Sequence, residues 1–129
     1  MDYLDLDLLI EDTLVVGVQH HIENCRDFYE AAMEAASFDL LEEHIGIRLQ
    51  RDPGNAFDSY AIKVLGKWIQ PDGRKKSALL GYLSKGMAWK VGQETDGEDR
   101  LYGEFCSIEP HPEYGYDLRI NVYVKYDFQ

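Results

Sequence analysis

RLQRDPGNAFDSYAIKVL, residues 48–65, divides into two alternating runs around a loop. In Ile47-Arg48-Leu49-Gln50-Arg51 apolar and polar side chains alternate, the period of a half-buried strand, and Ala61-Ile62-Lys63-Val64 alternates again. Between them Asp52–Ser59 is rich in Pro, Gly, Asn and Asp, each of which favours turns for its own stereochemical reason. The linker exceeds the two to five residues of an ordinary hairpin loop and places an aromatic, Phe57, between the polar groups of Asn55 and Asp58.

Working outward, Lys67–Gln70 extends the second strand, and Gln70–Lys76 reads as a basic loop turning at Pro71-Asp72-Gly73. Arg74, Lys75 and Lys76 are read as solvated loop charges in preference to an outer phosphate contact. Ala78–Leu83 is a strand, and Ser84 caps a helix over Lys85–Gln93 with Met87, Ala88 and Val91 apolar. The free N–H groups of that helix N-terminus, with Lys85 in the first turn, suit a phosphate. Leu101–Ile108 and Tyr116–Phe128 complete the strands, the last with Leu118, Ile120, Val122 and Val124 facing inward.

Upstream, Met1–Asp12 alternates Leu4, Leu6, Leu8 and Ile10 with mostly acidic residues, which predicts an edge strand or a loose arm. Thr13–Val18 predicts a central strand ending in Gln19-His20-His21. Asn24–Glu43 predicts a helix capped by Asn24 or Asp27, with Phe28, Ala31, Ala32, Ala35 and Ala36 on one face. A break is expected near Ser37-Phe38-Asp39, with Ser37 as a second N-cap. Residues 22–46 therefore read as a helical insertion between the first two strands. The whole chain, 1–129, is expected to be one mainly β (α+β) domain: six or seven strands in a small closed barrel with helices at its ends.

Composition bounds the function. Nine Tyr, five Phe and two Trp in 129 residues exclude a disordered chain. No stretch has the continuous apolar length of a membrane span, and the acidic N-terminus lacks the basic region of a signal peptide. Cys25 and Cys106 make no disulfide framework, so free thiols in the cytoplasm are expected. Net charge is −11, unevenly spread: residues 1–46 hold twelve Asp/Glu against Arg26 alone, while residues 47–90 hold nine Lys/Arg against three Asp, a net of +6. The acidic half is either a solvated face or an interaction surface.

Motifs for catalysis are missing. There is no phosphate-binding loop of the nucleotide hydrolases, no Gly-x-Ser-x-Gly, no His-Glu-x-x-His and no Cys pair at ligand spacing, so no enzyme and no cofactor are expected. His20 and His21 as strand neighbours point to opposite faces and are poorly placed to chelate a metal. Asp52 and Asp58 lack the further acids that a nuclease metal site needs.

RDPGNAFDSYAIKV, followed by LLGYLSKGMA at 79–88, resembles the HIRAN domain family. The pattern [RQ]-[DE]-P-x-N-x-[YFH]-D-x-x-A-[IV]-x-V is matched at Arg51, Asp52, Pro53, Asn55, Phe57, Asp58, Ala61, Ile62 and Val64. A second motif, a strand that opens a helix, is matched at Leu80, Gly81, Tyr82, Leu83 and Lys85. The resemblance implies a modified OB-like barrel that captures a free 3′-hydroxyl end of single-stranded DNA in repair, replication or mobile-element processing, without catalysis. It also implies a helicase or nuclease as a separate partner. By this resemblance Asp58 accepts a hydrogen bond from the terminal hydroxyl, Phe57 stacks on a base, and Asn55, Lys85, Tyr82 and Arg51 hold phosphates. Gln19 and His20 stand where the family has a basic residue and an aromatic, and Ala56 where it has Pro. Asn55 and Asp58 can instead close the loop, and Phe57 and Tyr82 can be core aromatics. The alternative of a different class is a protein-interaction module whose acidic half docks on a basic partner or mimics DNA.

Overall fold

Leu118, Ile120, Val122 and Val124 take every second position of one strand, and all four are completely buried. That strand, β6 (Gly115–Lys125), lies inside a six-stranded antiparallel sheet. The structure, a computed structural model, describes residues 5–126. In chain order the elements are β1 (Asp7–Leu14), a 3₁₀ turn (Val18–His20), α1 (Ile22–Ser37), α2 (Leu41–His44), β2 (Ile45–Arg51), β3 (Ile62–Ile69), β4 (Lys75–Tyr82), α3 (Lys85–Glu94), β5 (Arg100–His111) and β6. The strand order is β1-β6-β5-β2-β3-β4. The architecture is thus mainly β, as expected, and among the described residues it has three α-helices, the insertion supplying two of them where one was expected.

The stretch around residues 48–65 forms the hairpin that the alternation predicts. Ile45, Ile47 and Leu49 of β2 lie opposite Trp68, Gly66 and Val64 of β3, so their side chains share the core face. Gly66 is needed there: a Cβ would approach Leu80 and the Phe28 ring to 2.7 Å. Phe28, fully buried on α1, fills that space and meets Trp68 and Phe105 edge-on, each at 5.7 Å between centroids. The helical insertion therefore closes over the core. β2 meets β5 at one registered pair, Ile47 opposite Gly103. A cleft of about 610 Å³ beside that seam is lined by Glu42, Glu43, Ile45, Lys67 and Glu104 among others.

Several sequence expectations change. No strand ladder joins β1 to β4, so the sheet is not closed as the expected barrel requires. One bridge spans the gap: Val16 and Tyr82 exchange N–H···O bonds of 2.9 Å each, and the Val15 N–H donates to the Leu118 carbonyl at 2.8 Å. The predicted central strand Thr13–Val18 is not found: Thr13 and Leu14 end β1, which lies at the sheet edge, Val16 makes only the bridge, and Gly17 takes a left-handed conformation (φ 77°) that turns the chain into the 3₁₀ turn. The expected N-terminal edge strand is found as β1, although residues 1–4 lie outside those described. Register shifts after Leu8 and Ile10 leave Leu8 exposed and Ile10 buried, which breaks the predicted alternation.

The insertion helix begins at His21 without a side-chain cap, since the Asn24 amide donates instead to the Leu79 carbonyl. Ser37 ends α1, with its hydroxyl donating back to Glu34 O, rather than capping a second helix. Asp39 takes φ 57° at the break. Lys75 and Lys76 lie in β4 rather than in a loop, because the turn tightens to Pro71–Arg74 around Gly73 (φ 86°). β5 and β6 run further toward each other than predicted, leaving 112–114 as their turn; of the last strand's predicted span, 127 and 128 lie outside the described residues.

Two predictions test this core. A Cβ on Gly81 would run into the Val16 carbonyl oxygen and come within 2.8 Å of the Val15 side chain. Gly81→Ala is expected to cost about 1–3 kcal/mol in urea unfolding and to raise amide exchange at Val16 and Tyr82. The Cys25 thiol is buried, donates to Leu80 O at 3.4 Å, and has its pKa pushed up to about 11 by burial. A group whose pKa is raised by folding stabilises the fold below its unfolded pKa and loses that contribution as pH rises through the folded value. Stability measured in urea is expected to fall between roughly pH 9 and pH 11 and to fall less in Cys25→Ala.

Candidate functional site

The loop between β2 and β3 is held by its own polar side chains. Asn55 Oδ1 accepts from the backbone N–H of Phe57 (2.9 Å) and of Asp58 (3.1 Å), while its Nδ2 donates to Asp52 Oδ2 at 3.1 Å. Asp58 Oδ1 accepts from the Tyr60 N–H at 2.9 Å, and the loop is shut by Asp52 N–H to Ala61 O at 2.8 Å. Asn and Asp suit this because their short side chains copy a backbone turn. Both faces of the Asn55 amide are thus engaged inside the loop.

These bonds present Phe57 outward. Its side chain is 93% exposed, so it is no core aromatic. Exposing an aromatic ring on a pinned loop has no packing benefit, whereas such a ring can stack on a base with little loss of loop entropy. Asp58 is half-buried beside it, with Oδ1 committed to Tyr60.

Arg51 is engaged elsewhere. Its guanidinium donates to Asp99 O (2.8 Å), Asp96 O (2.9 Å) and Thr95 Oγ1 (3.0 Å), tying the end of β2 to the turn after α3. Burial lowers its pKa, while the Asp99 and Asp96 carboxylates act against that shift. It does not pair with Asp52 or Asp58, because its guanidinium is directed to the 95–99 turn.

The β4–α3 junction sits against this loop. The Leu83 N–H donates to Ile62 O at 3.1 Å, so the base of the loop and the start of α3 are neighbours. Ser84 caps α3 as predicted, its hydroxyl accepting from the Met87 N–H at 3.3 Å, and Lys85 follows in the first turn, exposed. Tyr82 lies directly opposite Lys63 and is partly exposed. On its other side the Val16 bridge leads to Gly17, whose ideal Cβ would lie 3.9 Å from the Tyr82 ring, and then to the exposed Gln19 and His20. The loop, Tyr82 and Lys85 are therefore gathered at one end of β3 and β4, with Gln19 and His20 on the far side of Tyr82. His21 is partly buried, and burial followed by the nearby His20 lowers its pKa. Among the described residues no group of three or more His, Cys, Asp and Glu is placed to hold a metal ion.

Two residues at this end escaped the sequence reading. The Tyr60 ring lies against α3 where a Cβ on Gly92 would collide with it, and it accepts weakly from Gln93 Nε2 at 3.5 Å. Trp89, 56% exposed, stands one helical turn before Gly92 and four residues after Lys85, so these positions share one face of α3. A glycine inside a helix and a Trp outside the Met87-Ala88-Val91 stripe were the available signals.

No protein-family model, curated protein or solved structure matches this chain.

Replacing the two loop-end residues separates their roles. Phe57→Ala is expected to leave urea stability within about 0.5 kcal/mol, as for an exposed side chain. Arg51→Lys is expected to lose about 1–3 kcal/mol, since an ammonium cannot reproduce three divergent hydrogen bonds.

Proposed function

We propose that this chain is a non-catalytic module that holds the end of single-stranded DNA, of the HIRAN kind that its two motifs resemble, on an OB-like barrel completed by the Val16–Tyr82 bridge. The observation that carries the reading is Phe57: a ring 93% exposed on a loop pinned by Asn55, next to the start of α3 with Lys85. Base stacking on such a ring contributes about 1–3 kcal/mol per base and tolerates any sequence. Asp58 receives the 3′-hydroxyl: its Oδ1 is held by Tyr60, its Oδ2 accepts from the sugar, and a terminal phosphate is repelled. Lys85 and the N–H groups of the α3 N-terminus take the adjoining phosphate. Asn55 acts by shaping the loop and Arg51 by anchoring its base, while Tyr82 and His20 offer further flat surfaces. The module works in the cytoplasm beside a helicase or nuclease, in repair, replication or mobile-element processing.

A second reading is favoured by α1. Its exposed side carries Glu23, Asp27, Glu30 and Glu34 together with Met33, which is 45% exposed. That surface suits a basic protein partner.

Fluorescence anisotropy on short 5′-labelled strands ending in a 3′-hydroxyl or a 3′-phosphate tests the first reading. Tighter binding to the hydroxyl end is expected, with the preference lost in Asp58→Asn, which retains the acceptor for Tyr60. Phe57→Ala is expected to weaken binding to both strands by about 1–3 kcal/mol. Equal affinity for the two ends would remove Asp58 from its role, and no binding at low salt would leave the protein-interaction reading.

A further inference from the structure

The outward faces of β2, β3 and β4 carry four cations and no carboxylate. Registers place Gln50 opposite Lys63 and Lys63 opposite Tyr82, in one row across the three strands. Arg48 on β2, Lys67 on β3 and Lys75 on β4 follow at alternate positions of the same face, and no Asp or Glu occurs within these strands. Arg48, Lys67 and Lys75 are exposed and Lys63 is half-buried. Among the described residues none of the four joins an ion pair. Lys76, one position away on the core-facing side, shows the contrast: it pairs with Asp27 at 3.5 Å and lies over the Trp68 ring. In a chain of net charge −11, a cationic face without a single internal counter-charge is not a consequence of composition.

We infer that this sheet face is a track for the internal phosphates of a single nucleic-acid strand whose end is held at the loop. The inference rests on the end-binding reading above and extends it to the next several nucleotides. The row containing Tyr82 and Lys63 adjoins the loop, through the Ile62–Leu83 bond, so the track begins where the end site stops. Tyr82 supplies a ring among the cations, the combination of stacking and charge that single-strand binders use. At the far end Glu42 and Glu43 of α2 share a groove of about 350 Å³ with Lys67 and Lys75. Those acids bound the track and leave Arg48 and Lys63 as its main anchors.

Anisotropy titrations with strands of about 3, 6 and 12 nucleotides, each at several salt concentrations, test the track. In the wild-type protein, affinity and salt dependence are expected to rise from the shortest strand to the longest. Arg48→Gln with Lys63→Gln is expected to weaken the longest strand about tenfold and to reduce its salt slope by about 1.4, leaving the shortest strand and the preference for a 3′-hydroxyl unchanged. Lys90→Gln, outside the face, is expected to have little effect, and matched thermal unfolding checks that the replacements leave the fold intact. Length-independent affinity, or a double variant equal to wild type, would overturn the track while the end site stands. Binding of long strands that ignores the end but responds to Arg48 and Lys63 would keep the track and remove the end reading. Loss of the strand to poly-glutamate at equal charge would assign the face to an acidic protein instead.

Discussion

Phe28 is the contact on which the rest depends. It comes from the helix inserted between the first two strands, yet it is fully buried against Gly66 and Leu80 with Trp68 and Phe105 around it. One ring therefore joins α1 to β3, β4 and β5, and the glycine at 66 leaves the space that the ring occupies. Removing a buried aromatic of this kind costs about 3–5 kcal/mol, a large share of the stability of a domain this size. Because β2 and β5 share a single registered pair, packing through Phe28 supplies cohesion that hydrogen bonds at that seam do not.

The candidate site depends on this framework at one remove. β3 and β4 are held together by a long ladder, and their loop-side ends fix the base of the 52–61 loop and the start of α3. Arg51 then ties that base to the turn after α3, and Asn55 fixes the shape of the tip. Polar side chains chemically able to touch a ligand are spent on geometry, and an aromatic of a kind usual in cores is exposed. This division is physically reasonable: a rigid loop presents a ring without ordering it at the moment of binding.

Charge is segregated in space as well as along the chain. The acids of α1 point to solvent away from the outward face of β2, β3 and β4, apart from the Asp27–Lys76 pair on the other side of β4. Beyond that pair and the groove where Glu42 and Glu43 meet Lys67 and Lys75, the acids of α1 and the cations of the sheet face do not neutralise one another, and each sign remains available to a partner of the opposite sign.

How much was legible in the sequence varies by element. Strand alternation determined β2, β3 and the buried face of β6, because a period of two admits one orientation once a core exists. The Ser84 cap and the turn-forming loop were equally local, since short side chains bond to backbone a few residues away. Other features were not legible. β1 ends at Leu14, and the left-handed turn at Gly17 keeps the contact with β4 from growing beyond the single Val16–Tyr82 bridge. That Arg51 is an anchor, and that the Tyr60 ring of the loop packs on α3, follows from which distant segment arrives: residues 95–99 for the first, Gly92 for the second. Sequence by itself determined most of the elements and the residues available for chemistry. Tertiary structure alone decided which were consumed as structural bonds and which were left exposed, because hydrogen-bond partners and burial are set by contacts between segments far apart in the chain.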